Sequence, residues 1–224
     1  YQWAGVLRWG LPNYAGTDVA GARLLSLPLT ADATLGGGTD CGADDDPNNG
    51  RTSSFFERWG SENSGYSGNN LVSLGSVPYV NVQAQWDIAD WPCFAKYYAA
   101  WSLASLPAGA QVVSATVQLR HFGNPGYGAG YAENGSKDTI MQVYEVNQSW
   151  QEMSIGWDTA PTPVENVSRT LVKPVDVACG ASYCSPGVPY NFDVTEIVKR
   201  ALAQGRNWAS MALYTAAGQY HSGK

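Results

Sequence analysis

The chain is poor in charge, poor in histidine and free of long apolar runs. Charged residues make up only 14% of its 224 positions, while Gly, Ser, Asn, Thr and aromatics are plentiful, a composition that suits short strands with long turns rather than helices. Basic residues number 13 against 19 acidic ones, a formal net charge of −6. That balance argues against a nucleic-acid partner, whose phosphates need a basic footprint. No apolar stretch approaches the length that spans a bilayer, so membrane insertion is not expected. The two histidines, His121 and His221, leave little for a nucleophile–histidine–acid arrangement, and neither stands in a nucleophile context. Phosphate loops and dinucleotide fingerprints are absent. Carboxylate pairs such as Glu57 with Asp87 or Glu145 with Glu152 could in principle serve a glycosidase, but nothing in the sequence singles one out. The chain therefore reads as noncatalytic.

Also missing is a metal-type Cys-x-x-Cys pair. The four cysteines, Cys41, Cys93, Cys179 and Cys184, are an even number in a weakly charged chain, so disulfides are the better reading. Cys179 is expected to pair with Cys184 across a short loop, leaving Cys41 for Cys93. Sequons at Asn134, Asn147 and Asn166 point the same way, to an extracellular or cell-surface location. The start at Tyr1, without methionine, fits a mature chain after leader removal and equally an arbitrary cut.

What the sequence does have is β-strand grammar. From Lys96 to Leu119, KYYAAWSLASLPAGAQVVSATVQL reads as two strands joined by a proline-glycine corner. In the second, Val113, Ala115, Val117 and Leu119 alternate with Ser114, Thr116, Gln118 and Arg120, a period of two that sends one face to a core and the other to water. The pattern recurs at Thr139 to Val146 and at Trp208 to Thr215. The expected fold is all-β, a jelly-roll-like antiparallel sandwich with one short helix near the C-terminus. That helix is expected to open at Asp193, with Glu196 as the other half of a capping box and Gly205 as its stop. Val194, Ile197, Val198, Ala201 and Leu202 form its apolar stripe. Residues 1–29 read as an N-terminal arm or edge strand, and residues 30–224 as a single sandwich domain. Within that domain, Thr30 to Gly75 and Gly123 to Asp138 are turn-rich loops.

Three segments in order, YYAAWSLASLPAGAQVVSATVQL, VYEVNQSWQEMSIGWDTAP and FDVTEIVKRALAQGRNWASMALYTAAGQYHSGK, resemble the DNRLRE-type domain. That group of secreted sandwiches includes carbohydrate-binding module family 96. The resemblance covers about the last 130 residues and implies an accessory module on polysaccharide-degrading enzymes or large surface proteins. Some relatives bind acidic polysaccharides such as alginate. In the family the Tyr-His-Ser-Gly-Lys element runs on into a further strand, whereas this sequence ends at Lys224. That difference reads either as a truncated chain or as a sheet completed by another copy's Tyr1–Leu29 arm, which would make the chain a filament or sheath subunit.

Sugar recognition on a sandwich uses aromatic rings against sugar faces with polar groups beside them. Trp150 and Trp157 fall in the family's tryptophan segment and read as core. Trp86, Trp91, Tyr127 and Tyr131, on loops or outward faces, are the candidate platform, with Arg120 and Lys137 as cations for an acidic glycan. The run Asp44-Asp45-Asp46-Pro47-Asn48 is oxygen-rich, as calcium prefers. It lacks EF-hand spacing, and reads either as a structural calcium site through Asp44, Asp46 and Asn48 or as a solvated acidic loop.

Overall fold

The computed structural model describes residues 5–10, 23–37, 82–84, 94–123, 137–152, 155, 159–180 and 183–216. They form two antiparallel sheets. One has four strands: β1 (Gly5–Gly10), β2 (Arg23–Leu27), β6 (Gln111–Gly123) and β9 (Tyr183–Asp193), in the order β2-β1-β6-β9. The other has six, built from β3 (Leu29–Gly37), β4 (Gln83–Ala84), β5 (Phe94–Ser102), β7 (Thr139–Glu145), β8 (Asn166–Val172) and β10 (Trp208–Thr215). Its order is β3-β5-β10-β7-β8, with β4 taking up the pairing of β5 beyond the end of β10. The all-β sandwich expected from the alternation is therefore present. The lead segment supplies β1, paired on both sides, and β2, at the sheet edge.

The core lies between the sheets. Tyr97, Ala99 and Trp101 of β5, Met211 and Leu213 of β10 and Val143 of β7 meet Ala115, Val117 and Leu119 of β6 and Phe192 of β9. The proline-glycine corner takes the chain from β5 in one sheet to β6 in the other. Its turns close through Leu106 N–H to Leu103 O and Ala110 N–H to Pro107 O, both at 3.0 Å.

Several expectations need correcting. The stretch Thr30–Gly37, read as the start of a loop, runs in β3. In β6 the core positions are Val112, Ala115, Val117 and Leu119, while Val113 is only half-buried. The cause is a β-bulge: β1 pairs Arg8 with Ser114 and Trp9 with Val112, skipping Val113 and shifting the phase by one. Trp208–Thr215 does not alternate at all, since Ala209 through Leu213 are all buried. A strand in the middle of a sheet covered on both faces has no wet side.

Two helices flank the sandwich: the five-residue α1 (Val175–Cys179), not foreseen, and α2 (Thr195–Ala203). Ile197, Val198 and Ala201 pack into the core, as the stripe required. The capping box does not form. Val194 is the N-cap and makes no side-chain cap bond. Asp193 acts one residue earlier, its Oδ1 accepting the Thr195 N–H at 2.8 Å, while Glu196 turns to Lys199 Nζ at 3.0 Å. Gly205, at φ 69°, ends the helix, and Arg206 N–H reaches back to Ala201 O at 2.9 Å. Cys184 is buried in β9, its Sγ 3.7 Å from the Val175 carbonyl oxygen. No described cysteine is a free thiol. The side chains of Cys41, Cys93 and Cys179 lie outside the described residues, so the pairing remains a proposal. Among the described residues no helix is long and apolar enough to cross a membrane.

Candidate functional site

The outward face of the six-stranded sheet carries the densest grouping of aromatic and basic side chains among the described residues. Strand phase puts it there: Met141 and Val143 of β7 face the core, so Gln142 and Tyr144 face away from it. Register then aligns a row across the strands. Tyr214 of β10 lies against Gln142, and Gln142 lies against Arg169 of β8. One step beyond the Leu213–Tyr97 pair comes Lys96 of β5, whose Nζ is 5.8 Å from the Tyr214 ring centroid and 5.6 Å from that of Tyr98. The row Lys96–Tyr214–Gln142–Arg169 crosses four strands, about 14 Å at the usual strand spacing. It has a cation at each end and a phenol and an amide between.

Neighbouring groups fix the row in place. Tyr144 stacks edge-on against Tyr214, centroids 5.3 Å apart, and its hydroxyl donates to Gln142 Oε1 at 3.2 Å. Arg169 Nε donates to Asn166 Oδ1 at 3.4 Å. The Tyr98 hydroxyl donates to Pro161 O at 3.0 Å and so accepts from Tyr214 at 3.1 Å. Burial pushes the Tyr98 phenol far above its ordinary range and raises the Tyr214 phenol as well. Both phenols therefore stay neutral and hydrogen-bonding at any physiological pH.

The connection from β7 to β8 lies beside this row as a strap. Trp150 packs half-buried in a second apolar cluster with Ala33, Leu35, Tyr98, Ile155 and Ala212, and its Nε1–H donates to Ser210 Oγ at 2.9 Å. It therefore reads as packing, as expected. Trp157 lies outside the described residues.

Of the binding residues proposed from sequence, Arg120 and Lys137 are among the described residues. Arg120 is exposed on the opposite, four-stranded sheet, its Nη1 donating to Gly187 O at 3.0 Å. Gly187 has φ 89°, and a Cβ there would lie 3.1 Å from Arg120 Cβ and from His121 O, so only glycine lets β9 run this close. Beside Arg120, Gln118 Nε2 donates to Asn191 Oδ1 at 3.1 Å. Arg120, Gln118 and Asn191 are all polar here. Lys137 is exposed just before β7, across the 124–136 connection from Arg120. Trp86, Trp91, Tyr127, Tyr131, Asp44, Asp46 and Asn48 lie outside the described residues. No group of three or more His, Cys, Asp or Glu that could hold a metal occurs among the described residues. Glu145 and Glu152 do not form a pair: Glu145 is bound by Arg206 and Arg200, and Glu152 turns to Asp32. Asn166 spends its amide inside the sheet, on Val143 O and Ser168 O, so the sequon there is poorly placed for a glycan.

Lys96, Gln142, Tyr144, Arg169 and Tyr214 were missed by sequence reasoning. The signal was present for two of them, since the alternation of Thr139–Val146 already assigns Gln142 and Tyr144 to the outward phase. An antiparallel sandwich with a cation-flanked tyrosine row on an outer face has the makings of a carbohydrate-binding module. The chain belongs to carbohydrate-binding module family 96, whose model matches residues 75–223, well over half of it. No curated protein matches the chain.

Proposed function

We propose that the chain is a secreted, noncatalytic module that binds an acidic polysaccharide along the Lys96–Tyr214–Gln142–Arg169 row. The observation that carries this reading is two cations at the ends of a row whose centre is a tyrosine already fixed by Tyr98 and Tyr144. Aromatic surface suits a sugar face, the amide suits its hydroxyls, and the cations suit acid groups along an extended chain. A local basic row on a chain of net charge −6 also disfavours indiscriminate binding of polyanions. Family membership supports the carbohydrate, and the even cysteine count supports the extracellular setting.

Isothermal titration calorimetry against neutral and acidic polysaccharides tests the reading. The wild type should bind an acidic glycan with affinity that falls as salt rises. The double variant Lys96→Ala/Arg169→Ala should lose about tenfold or more, a loss of about 1.4 kcal/mol, with its thermal unfolding little changed. Arg120→Ala assigns the face: unchanged binding supports the tyrosine row, and abolished binding moves the site to the four-stranded sheet. Binding with no release of shortened glycan supports the noncatalytic role.

A further inference from the structure

Asp32 lies on β3, the edge strand of the six-stranded sheet. Edge strands leave half their backbone groups without a ladder partner. Here the Asp32 N–H donates to Glu152 Oε2, a group of the β7–β8 strap, at 3.4 Å. The Asp32 carboxylate itself accepts the Tyr97 hydroxyl at 3.2 Å. Two carboxyl groups from segments 120 residues apart are thus held together at the far edge of the sheet from β8. Of the other strap bonds, Trp150 to Ser210 and Tyr98 to Pro161 join neutral groups, and Glu165, paired with Arg200, has its carboxyl held below the usual range. Among the described residues, the titratable groups that act on Asp32 are Tyr97 from β5 and Glu152 from the strap.

The geometry points to a pH-sensitive clasp in which the Asp32–Glu152 contact fastens the strap to β3 when Asp32 is protonated and loosens it when both carboxylates are charged. Its physical basis is the burial of the Asp32 carboxyl, which disfavours its charged form, with like-charge repulsion from Glu152 added to it. Burial first, and then the Glu152 carboxylate, raise the Asp32 carboxyl to about 6, with the Tyr97 bond pulling the other way. The sign follows. A carboxyl whose pKa is raised by folding favours the folded arrangement most at pH below its ordinary value. That advantage is lost as pH climbs through about 6. The clasp should therefore be closed near pH 5 and strained near pH 7.5.

Hydrogen–deuterium exchange of strap peptides from the intact protein, corrected for the intrinsic pH dependence of amide exchange, reads this without any glycan. Failure of the clasp is thereby distinguishable from failure of the binding reading. In the wild type, strap protection should drop about tenfold between pH 5 and 7.5. In Asp32→Asn it should stay level across that range. In Glu152→Gln, which keeps an acceptor for the Asp32 N–H but removes the repelling charge, the pH dependence should shrink to the part that burial of Asp32 supplies. A wild-type strap whose protection is independent of pH overturns the clasp, as does an Asp32→Asn variant with an unchanged pH dependence.

Discussion

Glu145 shows how much a single residue can fix. Its side chain is only 4% exposed, yet it carries a carboxylate, which burial penalises unless partners satisfy both oxygens. Arg206 Nη2 reaches Oε1 at 2.8 Å and Arg200 Nη1 reaches Oε2 at 3.2 Å. Arg200 also bonds Glu165, whose carboxyl it holds below the usual range, and the Arg206 guanidinium sits 4.9 Å over the Trp208 ring. One carboxylate thereby pins both the last turn of α2 and the loop after it to the end of β7. Glu145→Ala should cost about 3 kcal/mol, because it strands the largely buried Arg206 guanidinium, while the more exposed Arg200 keeps Glu165. Urea unfolding at pH 7 measures it, and a cost under about 1 kcal/mol would show that the pair adds little. The alternation of β7 puts Glu145 in the inward phase with Met141 and Val143, but its partners were not legible in the sequence. The arginines that claim it lie 55 and 61 residues away, and no periodicity links them.

At the scale of elements, the exposed flank of each sheet has to be closed without a further strand. On one side β2 runs through Pro28 directly into β3, so the chain itself joins the two sheets. On the other, β8 and β9 lie side by side in different sheets, and side chains bridge them. Ser168 Oγ donates to Asp193 O at 2.6 Å, Thr170 Oγ1 donates to Asn191 O at 3.0 Å, and the Tyr190 hydroxyl accepts the Lys173 N–H at 3.0 Å. Hydroxyls from one edge thus satisfy carbonyls of the other. Each such bond contributes about 1 kcal/mol net. The double variant Ser168→Ala/Thr170→Ala should therefore lower stability by about 2 kcal/mol by denaturant melt, with no change in strand content by circular dichroism. Strand identity was legible here because alternation survives wherever one face stays wet, as in β7. It failed where a second layer covers the sheet, as in β10, and where a bulge skips a residue, as at Val113. Both failures are tertiary: the strap and the partner strand β1 decide them, and neither can be seen from within the strand affected.

At the scale of the molecule, the family match and the folding unit do not coincide. The match begins at residue 75, but β1, β2 and β3 all precede it. β1 covers one edge of β6 and β3 covers one edge of β5, while Leu27, Ala33 and Leu35 are buried in the two apolar clusters. A chain of residues 75–224 keeps all the matched sequence and would leave one edge each of β5 and β6 bare, along with the apolar surface those three residues cover. Bare central strands recruit other chains or fail to form. Such a fragment should show no cooperative thermal transition by circular dichroism and should aggregate at micromolar concentration, whereas the full chain should melt as one unit. The same edges bear on the filament alternative, since donating the Tyr1–Leu29 segment to a neighbour would first strip β1, and β2 with it, from the edge of β6. Static light scattering of the full chain separates the two cases. A single-chain mass across a concentration series means the lead strands stay in their own sheet, while growth to polymers that Val6→Pro abolishes would mean they are exchanged between copies.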